Sequence, residues 1–262
     1  MLRILKSDLY RLLRSKSFWI YPGVCVLVSF IGIIQGVTSG VDEFQVYFSI
    51  LFDDLSSHVV FLFAGIVLVL LYGEELKTGI VKYSYSCCGP RWILVVSRML
   101  VATMITLFYT LVEVVLKLPR PVFLYLFAKE KYPCKSLGDY YCLRIFKADV
   151  YGVLIAFFVT VSALMLVLAI YEITFGRSLA VIFTLLLGTG FLEGMIVLGE
   201  MLLCIMTNYQ GEFRIEHYML FQDYEWGPNG LQTLRILVVA FVYLVGGAAV
   251  SIWKAETKDV NG

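Results

Sequence analysis

Two carboxylates, Glu193 and Glu200, stand seven residues apart inside a long apolar stretch, a spacing that puts both on one face of a helix. Acids in such a setting are costly and face a cavity or a partner. Two readings follow: the pair lines or gates the outer end of a polar path, or it caps backbone amides freed by a break in the helix. A third acid, Glu113, has Lys117 four residues on, the spacing of a neutralising helical pair. The two histidines, His58 and His217, have no second ligand at helical spacing, and Glu212, Glu216 and His217 read as a solvated loop. Neither H-E-x-x-H nor G-x-S-x-G occurs, nor does G-x-x-x-x-G-K-[ST], the loop whose amides and lysine hold nucleotide phosphates. The expectation is a chain with no catalytic set and no cofactor or metal of its own. Of six cysteines, Cys25 and Cys204 lie in apolar stretches and Cys87 and Cys88 are adjacent thiols without histidine neighbours. Only Cys134 and Cys142 share a segment where an oxidising exterior permits a disulfide, and paired and free states both remain open.

The elements that position these groups follow from composition. The chain has 262 residues, 60% of them hydrophobic and only 16% charged, with mean hydropathy +0.84, values that fit no soluble fold of this size. At ~20 residues per crossing, six spans use about 120 residues and leave the rest for loops and ends. The net charge of +1 has no clustered basic footprint, which excludes a nucleic-acid partner.

Residues 1–17 read as an amphipathic helix lying in the membrane interface. Leu2, Leu5, Leu9, Leu12 and Leu13 share one face, and Arg3, Ser7, Arg11 and Arg14 the other. Its five cations, Arg3, Lys6, Arg11, Arg14 and Lys16, favour the anionic cytoplasmic leaflet, so the N-terminus is expected inside. Spans are expected at about 18–37, 58–72, 93–116, 151–171, 179–207 and 234–253, giving one transmembrane domain over 1–262 with both ends cytoplasmic in the plasma membrane. Lys77, Lys82, Arg91 and Arg98 support this orientation from the inner side. The basic outer loop 117–150 opposes it, with the lesser weight of a longer loop. The fold class is therefore all-α and polytopic, with six transmembrane helices.

The fifth span is long and interrupted by Gly188, Gly190 and Gly194. A break at membrane depth requires protein or water to satisfy the freed backbone groups. The expectation is a broken span whose outer half, about 188–208, forms two re-entrant half-helices, with a single tilted helix as the other reading. Gly32 and Gly36 repeat at four residues and suit close helix packing, between two copies of the chain or within one.

One inner segment is more specific: Tyr72-Gly73-Glu74-Glu75-Leu76-Lys77-Thr78-Gly79, followed by Gly89-Pro90-Arg91-Trp92 and Ser97-Arg98. Its order, an acidic exit from the second span, a Thr-Gly step, a Gly-x-Arg element and a Ser-Arg entering the third span, resembles the transmembrane (permease) subunit of ABC-2 type ABC transporters. The resemblance covers the whole chain, through the basic N-terminal helix, six spans and a broken fifth span. The long outer loop between spans three and four departs from small members of that family. The resemblance implies that Glu74, Glu75, Lys77, Thr78, Gly79 and Arg91 couple to an ABC ATPase subunit present in two copies, which carries the ATP and Mg. It also implies pairing with a second copy of the chain or a related permease. Glu193, Glu200, Gly188, Gly190 and Gly194 then border the path. Compact apolar permeases of the family resemble exporters of amphipathic peptides, including bacteriocins and phenol-soluble modulin-like toxins, and the implied substrate is such a peptide. The alternatives are an exporter of lipid or small hydrophobic compounds, and a membrane immunity protein that sequesters a peptide without ATP. Two related halves, as in many secondary transporters, are not evident.

Overall fold

The computed structural model describes residues 2–39, 56–78, 91–117, 143–174, 177–207, 219 and 230–257. Among them all regular structure is helical: α1 (Leu2–Arg14), α2 (Lys16–Ser39), α3 (Ser56–Thr78), α4 (Trp92–Lys117), α5 (Leu143–Thr174), α6 (Arg177–Gly188), α7 (Phe191–Thr207) and α8 (Gly230–Thr257). Each expected apolar stretch is helical, the fifth as two helices, because runs of 15 or more apolar residues cannot leave backbone groups unpaired in an apolar setting. Three stretches, Trp92–Leu116, Gly152–Thr174 and Leu234–Thr257, are long and apolar enough to cross a membrane, and the bent pair α6–α7 would make a fourth. Lys16–Phe30 and His58–Gly73 are shorter apolar helices. Large apolar side chains cover the outside of the bundle. On α8 alone Leu234, Val238, Phe241, Val242 and Trp253 are exposed, a patch that water would not tolerate and lipid would.

α5 is the hub, packing on α3, α4, α6 and α8. Glycines set the closest approaches. A β-carbon at Gly247 of α8 would lie 2.8 Å from the Met165 carbonyl carbon, so α8 rests on the backbone of α5. At Gly65 of α3 it would lie 2.5 Å from Thr184 of α6. Four of the hydroxyls buried in this apolar interior are satisfied within their own helices. Thr106, Ser162, Thr184 and Ser251 each donate to the carbonyl four residues back, at 2.7–3.0 Å.

α2 carries Pro22, which has no N–H to give the carbonyl of Phe18. Tyr109 of α4 supplies the missing donor, its hydroxyl 2.8 Å from Phe18 O. Nearby, Tyr21 donates to Glu113 Oε1 at 2.6 Å and packs on Tyr109 with ring centroids 4.4 Å apart. Glu113 is thus held by a tyrosine from another helix, where local spacing had pointed to Lys117, whose side chain lies outside the described residues. These contacts place the start of α2 beside the later turns of α4. α1 packs against the same bundle: Leu12 is buried and Leu5 and Leu9 pack on the core, so this part of its apolar face meets protein, while Leu13 stays exposed.

The break in the fifth apolar stretch falls at Thr189–Gly190, where Gly190 adopts φ +70°, a left-handed conformation that glycine takes without strain. The helices on either side are bent by 63°. Gly194 lies inside α7, so Phe191–Thr207 is one continuous helix in place of the two half-helices expected from three glycines.

Candidate functional site

Charged and aromatic groups converge at one end of the bundle, where α3 and α5 finish and α4 and α6 begin. Arg98, in the second turn of α4, forms an ion pair with Glu172 near the end of α5, with both side chains 2% exposed. Two tyrosines frame the guanidinium: its carbon lies 4.8 Å from the ring centroid of Tyr72 on α3 and 5.7 Å from that of Tyr171 on α5. A desolvated charge pair needs such support, since burial of either ion alone costs several kcal/mol.

The same end grips three consecutive residues of α3 from different elements. The Leu71 carbonyl accepts from Arg11 of α1 at 3.4 Å. The Tyr72 carbonyl accepts from the Tyr171 hydroxyl of α5 at 2.9 Å. Gly73 lies under the stem of Arg177 of α6, whose Cδ would be 2.6 Å from an added β-carbon. With Arg98 of α4 over the Tyr72 ring, four helices hold Leu71–Gly73 immediately before the segment Glu74–Thr78. On the other side of that connection, Glu256 near the end of α8 accepts from the backbone N–H of Trp92 at 3.0 Å, capping the first turn of α4. Arg11 and Glu256, close to the two ends of the described chain, therefore meet the same end of the bundle.

The other candidate groups distribute as follows. The backbone of Glu74, Glu75, Lys77 and Thr78 continues α3, and Arg91 immediately precedes α4, its carbonyl accepting from Leu94 at 3.1 Å. Gly79, Cys87, Cys88, Cys134, Cys142 and His217, and most of the loop 117–150, lie outside the described residues. Gly32 and Gly36 are inside α2. Glu193 and Glu200 share a face of the unbroken α7, the half-sheltered side, while Met195, Leu198, Met201, Leu202, Ile205 and Met206 are exposed. Gly188 packs on Leu62, and His58 at the start of α3 lies beside the break, its Cε1 4.0 Å from the β-carbon position of Gly190. Gly194 has open space around it. The charge cluster lies at the start of α6, whereas Glu193 and Glu200 lie beyond the break, on α7.

Glu172 and Tyr171 were not among the residues the sequence singled out. The available signal was an acid at the end of one apolar stretch and an arginine at the start of another, two charges whose neutralisation inside a membrane requires each other. The crevice between α3 and α5 beside this cluster, lined by Leu68, Val69, Tyr72, Val167, Leu168 and Tyr171, is too narrow for a water molecule. The arrangement is a joint between packed helices, closed by an ion pair and two aromatic rings. No family model matches the chain, and neither a curated protein nor a solved structure does.

Proposed function

We propose that this chain is the transmembrane subunit of an ATP-driven exporter of the ABC-2 type, crossing the plasma membrane six times with both ends cytoplasmic. The observation that carries the reading is the four-helix grip on Leu71–Gly73. A subunit that converts ATP closure into movement needs a contact segment whose displacement reaches several spans together. Glu74–Thr78 extends directly from that grip, and its partner across the connection, Trp92, is tied to α8. A push on this segment is passed to α3, α4, α5 and α6 as a unit.

Two further features support the reading. At ~1.5 Å per residue α6 and α7 are about 18 and 25 Å long, and a 63° bend leaves a rise of about 30 Å along α6, the thickness of a hydrocarbon core. The bent pair is therefore long enough to be one crossing. The sheltered carboxylates of α7 then lie toward the outer side, where Glu193 and Glu200 meet a cationic amphipathic peptide leaving the path between two copies of the chain. ATP and Mg belong to the separate ATPase subunits.

The test is affinity purification of the tagged chain from its native membrane. An ABC ATPase is expected in two-plus-two stoichiometry, lost on Glu75→Lys while the variant still reaches the membrane. Recovery of the same ATPase by the variant would remove the coupling role. Recovery of none by the native chain would favour ATP-independent sequestration.

A further inference from the structure

The outward flank of α1 is neither polar nor apolar. Its inward face is occupied: Leu12 and Asp8 are buried, and Arg11 turns in toward Asp8, 3.9 Å away, and the Leu71 carbonyl. Asp8 is the only acid of the helix. The outward flank, continued by the first turn of α2, carries Lys6, Arg14 and Lys16, all exposed, and among the described residues none of the three has an acidic partner. Between them lie large exposed apolar side chains, Tyr10, Leu13, Trp19 and Ile20, each more than half exposed.

Arg14 is held in place, its guanidinium 5.4 Å from the Tyr10 ring centroid and donating to the Tyr10 hydroxyl at 3.0 Å. That bond uses one of five guanidinium donors and leaves the outer fork free for a phosphate. Trp19 donates its indole N–H to the Leu13 carbonyl at 2.9 Å, which fixes the turn from α1 into α2 at Ser15.

Water would leave this flank's apolar groups exposed, and hydrocarbon would leave three cations unneutralised. A single occupant presents both an anion and acyl chains. We infer that the flank formed by Lys6, Tyr10 and Arg14 of α1 together with Lys16 and Trp19 in the first turn of α2 binds anionic phospholipid, the headgroup phosphates meeting the cations and the chains covering Leu13 and Ile20. α1 acts as a strap clamped to the bundle on one side and to lipid on the other. This inference stands independently of the ATPase reading.

The experiment uses the full chain with Trp19 as its only tryptophan (Trp92→Phe, Trp226→Phe, Trp253→Phe), in vesicles of phosphatidylcholine doped with brominated phosphatidylglycerol or brominated phosphatidylcholine. Quenching of Trp19 reports which lipid sits on the flank. A cation beside an anionic headgroup strengthens association about fivefold, so three acting independently predict a preference for phosphatidylglycerol of about a hundredfold. Lys6→Gln with Arg14→Gln and Lys16→Gln abolishes that preference, while Arg235→Gln with Lys254→Gln, on α8, leaves it intact. Equal quenching by the two lipids, survival of the preference in the triple variant, or its loss in the α8 control overturns the proposal. If the triple variant fails to insert, salt decides on the native flank. Raising ionic strength from about 0.1 to 1 M shortens the screening length from ~10 to ~3 Å and must collapse the preference, and a salt-independent preference overturns it.

Discussion

Tyr109 of α4 donates its hydroxyl to the carbonyl oxygen of Phe18 on α2, at 2.8 Å, the acceptor that Pro22 deprives of its helical N–H. A proline in the second turn of an apolar helix exposes a backbone acceptor where water is scarce, and a buried hydroxyl from a neighbouring helix answers it. The pair fixes the register of α2 on α4 and with it the position of Tyr21 against Glu113.

The first prediction is a coupling between these residues. Tyr109→Phe should destabilise the protein by about 1–3 kcal/mol, the cost of an unsatisfied buried acceptor. In a Pro22→Ala background, where residue 22 again donates to Phe18, most of that cost should vanish. Unfolding in detergent of the two single variants and the double reads the cycle. The same penalty for Tyr109→Phe in both backgrounds would show that the hydroxyl does not serve the proline break.

Two adjacent glycines of α8 should respond in opposite ways. Gly247→Ala drives a β-carbon to 2.8 and 2.9 Å from the Met165 carbonyl group, backbone that yields only if the helices part, and overpacking of this kind costs about 1–3 kcal/mol. Gly246→Ala meets nothing within 4 Å and gains helix propensity, up to about 1 kcal/mol. Thermal midpoints of the two variants, relative to the parent, should fall on opposite sides. Equal effects would mean that α8 does not rest on α5 as described.

The Arg98–Glu172 pair separates stability from function. Arg98→Met or Glu172→Leu alone leaves one buried ion without its partner and should cost about 3–5 kcal/mol. The double variant removes both charges and should recover most of that loss, because burial of an ion pair contributes little net stability. If the pair also transmits the proposed movement of the connection between α3 and α4, the double variant folds and assembles with the proposed ATPase yet has lost substrate stimulation of ATP hydrolysis. Full stimulation in the double variant would reduce the pair to a packing feature.

Much of this architecture is legible in the sequence, for identifiable reasons. The apolar runs around Phe18–Phe30, His58–Tyr72 and Leu234–Trp253 become helices because no other structure satisfies their backbone. Gly190 marks the break because only a residue without a β-carbon enters the left-handed region there at low cost. Gly194 looks alike in the sequence and lies in ordinary helix, since a glycine's conformation depends on its neighbours in space. The amphipathic pattern of residues 2–14 locates a sided helix, but period alone does not distinguish protein from lipid as the cover for Leu5, Leu9 and Leu12. Side-chain partners are the least legible. Glu113 has a basic residue at local spacing, but local spacing gives no sign of Tyr21, which donates to it from 92 positions away. Arg98 read as the entry to an apolar span, and Glu172 was one acid among several. Their pairing follows from how α4 packs on α5, which no single helix's pattern contains.

The central claim is that this chain transmits ATP-driven closure to a peptide path. Its most direct measurement is ATP turnover by the chain and its co-purified ATPase, reconstituted in nanodiscs, with and without a cationic amphipathic peptide. The account predicts turnover that rises with peptide, falls to the basal rate in Glu193→Gln with Glu200→Gln, and is absent in Glu75→Lys. A folded chain that associates with no ATPase, or a complex whose turnover is indifferent to every such peptide and to all three substitutions, would contradict it.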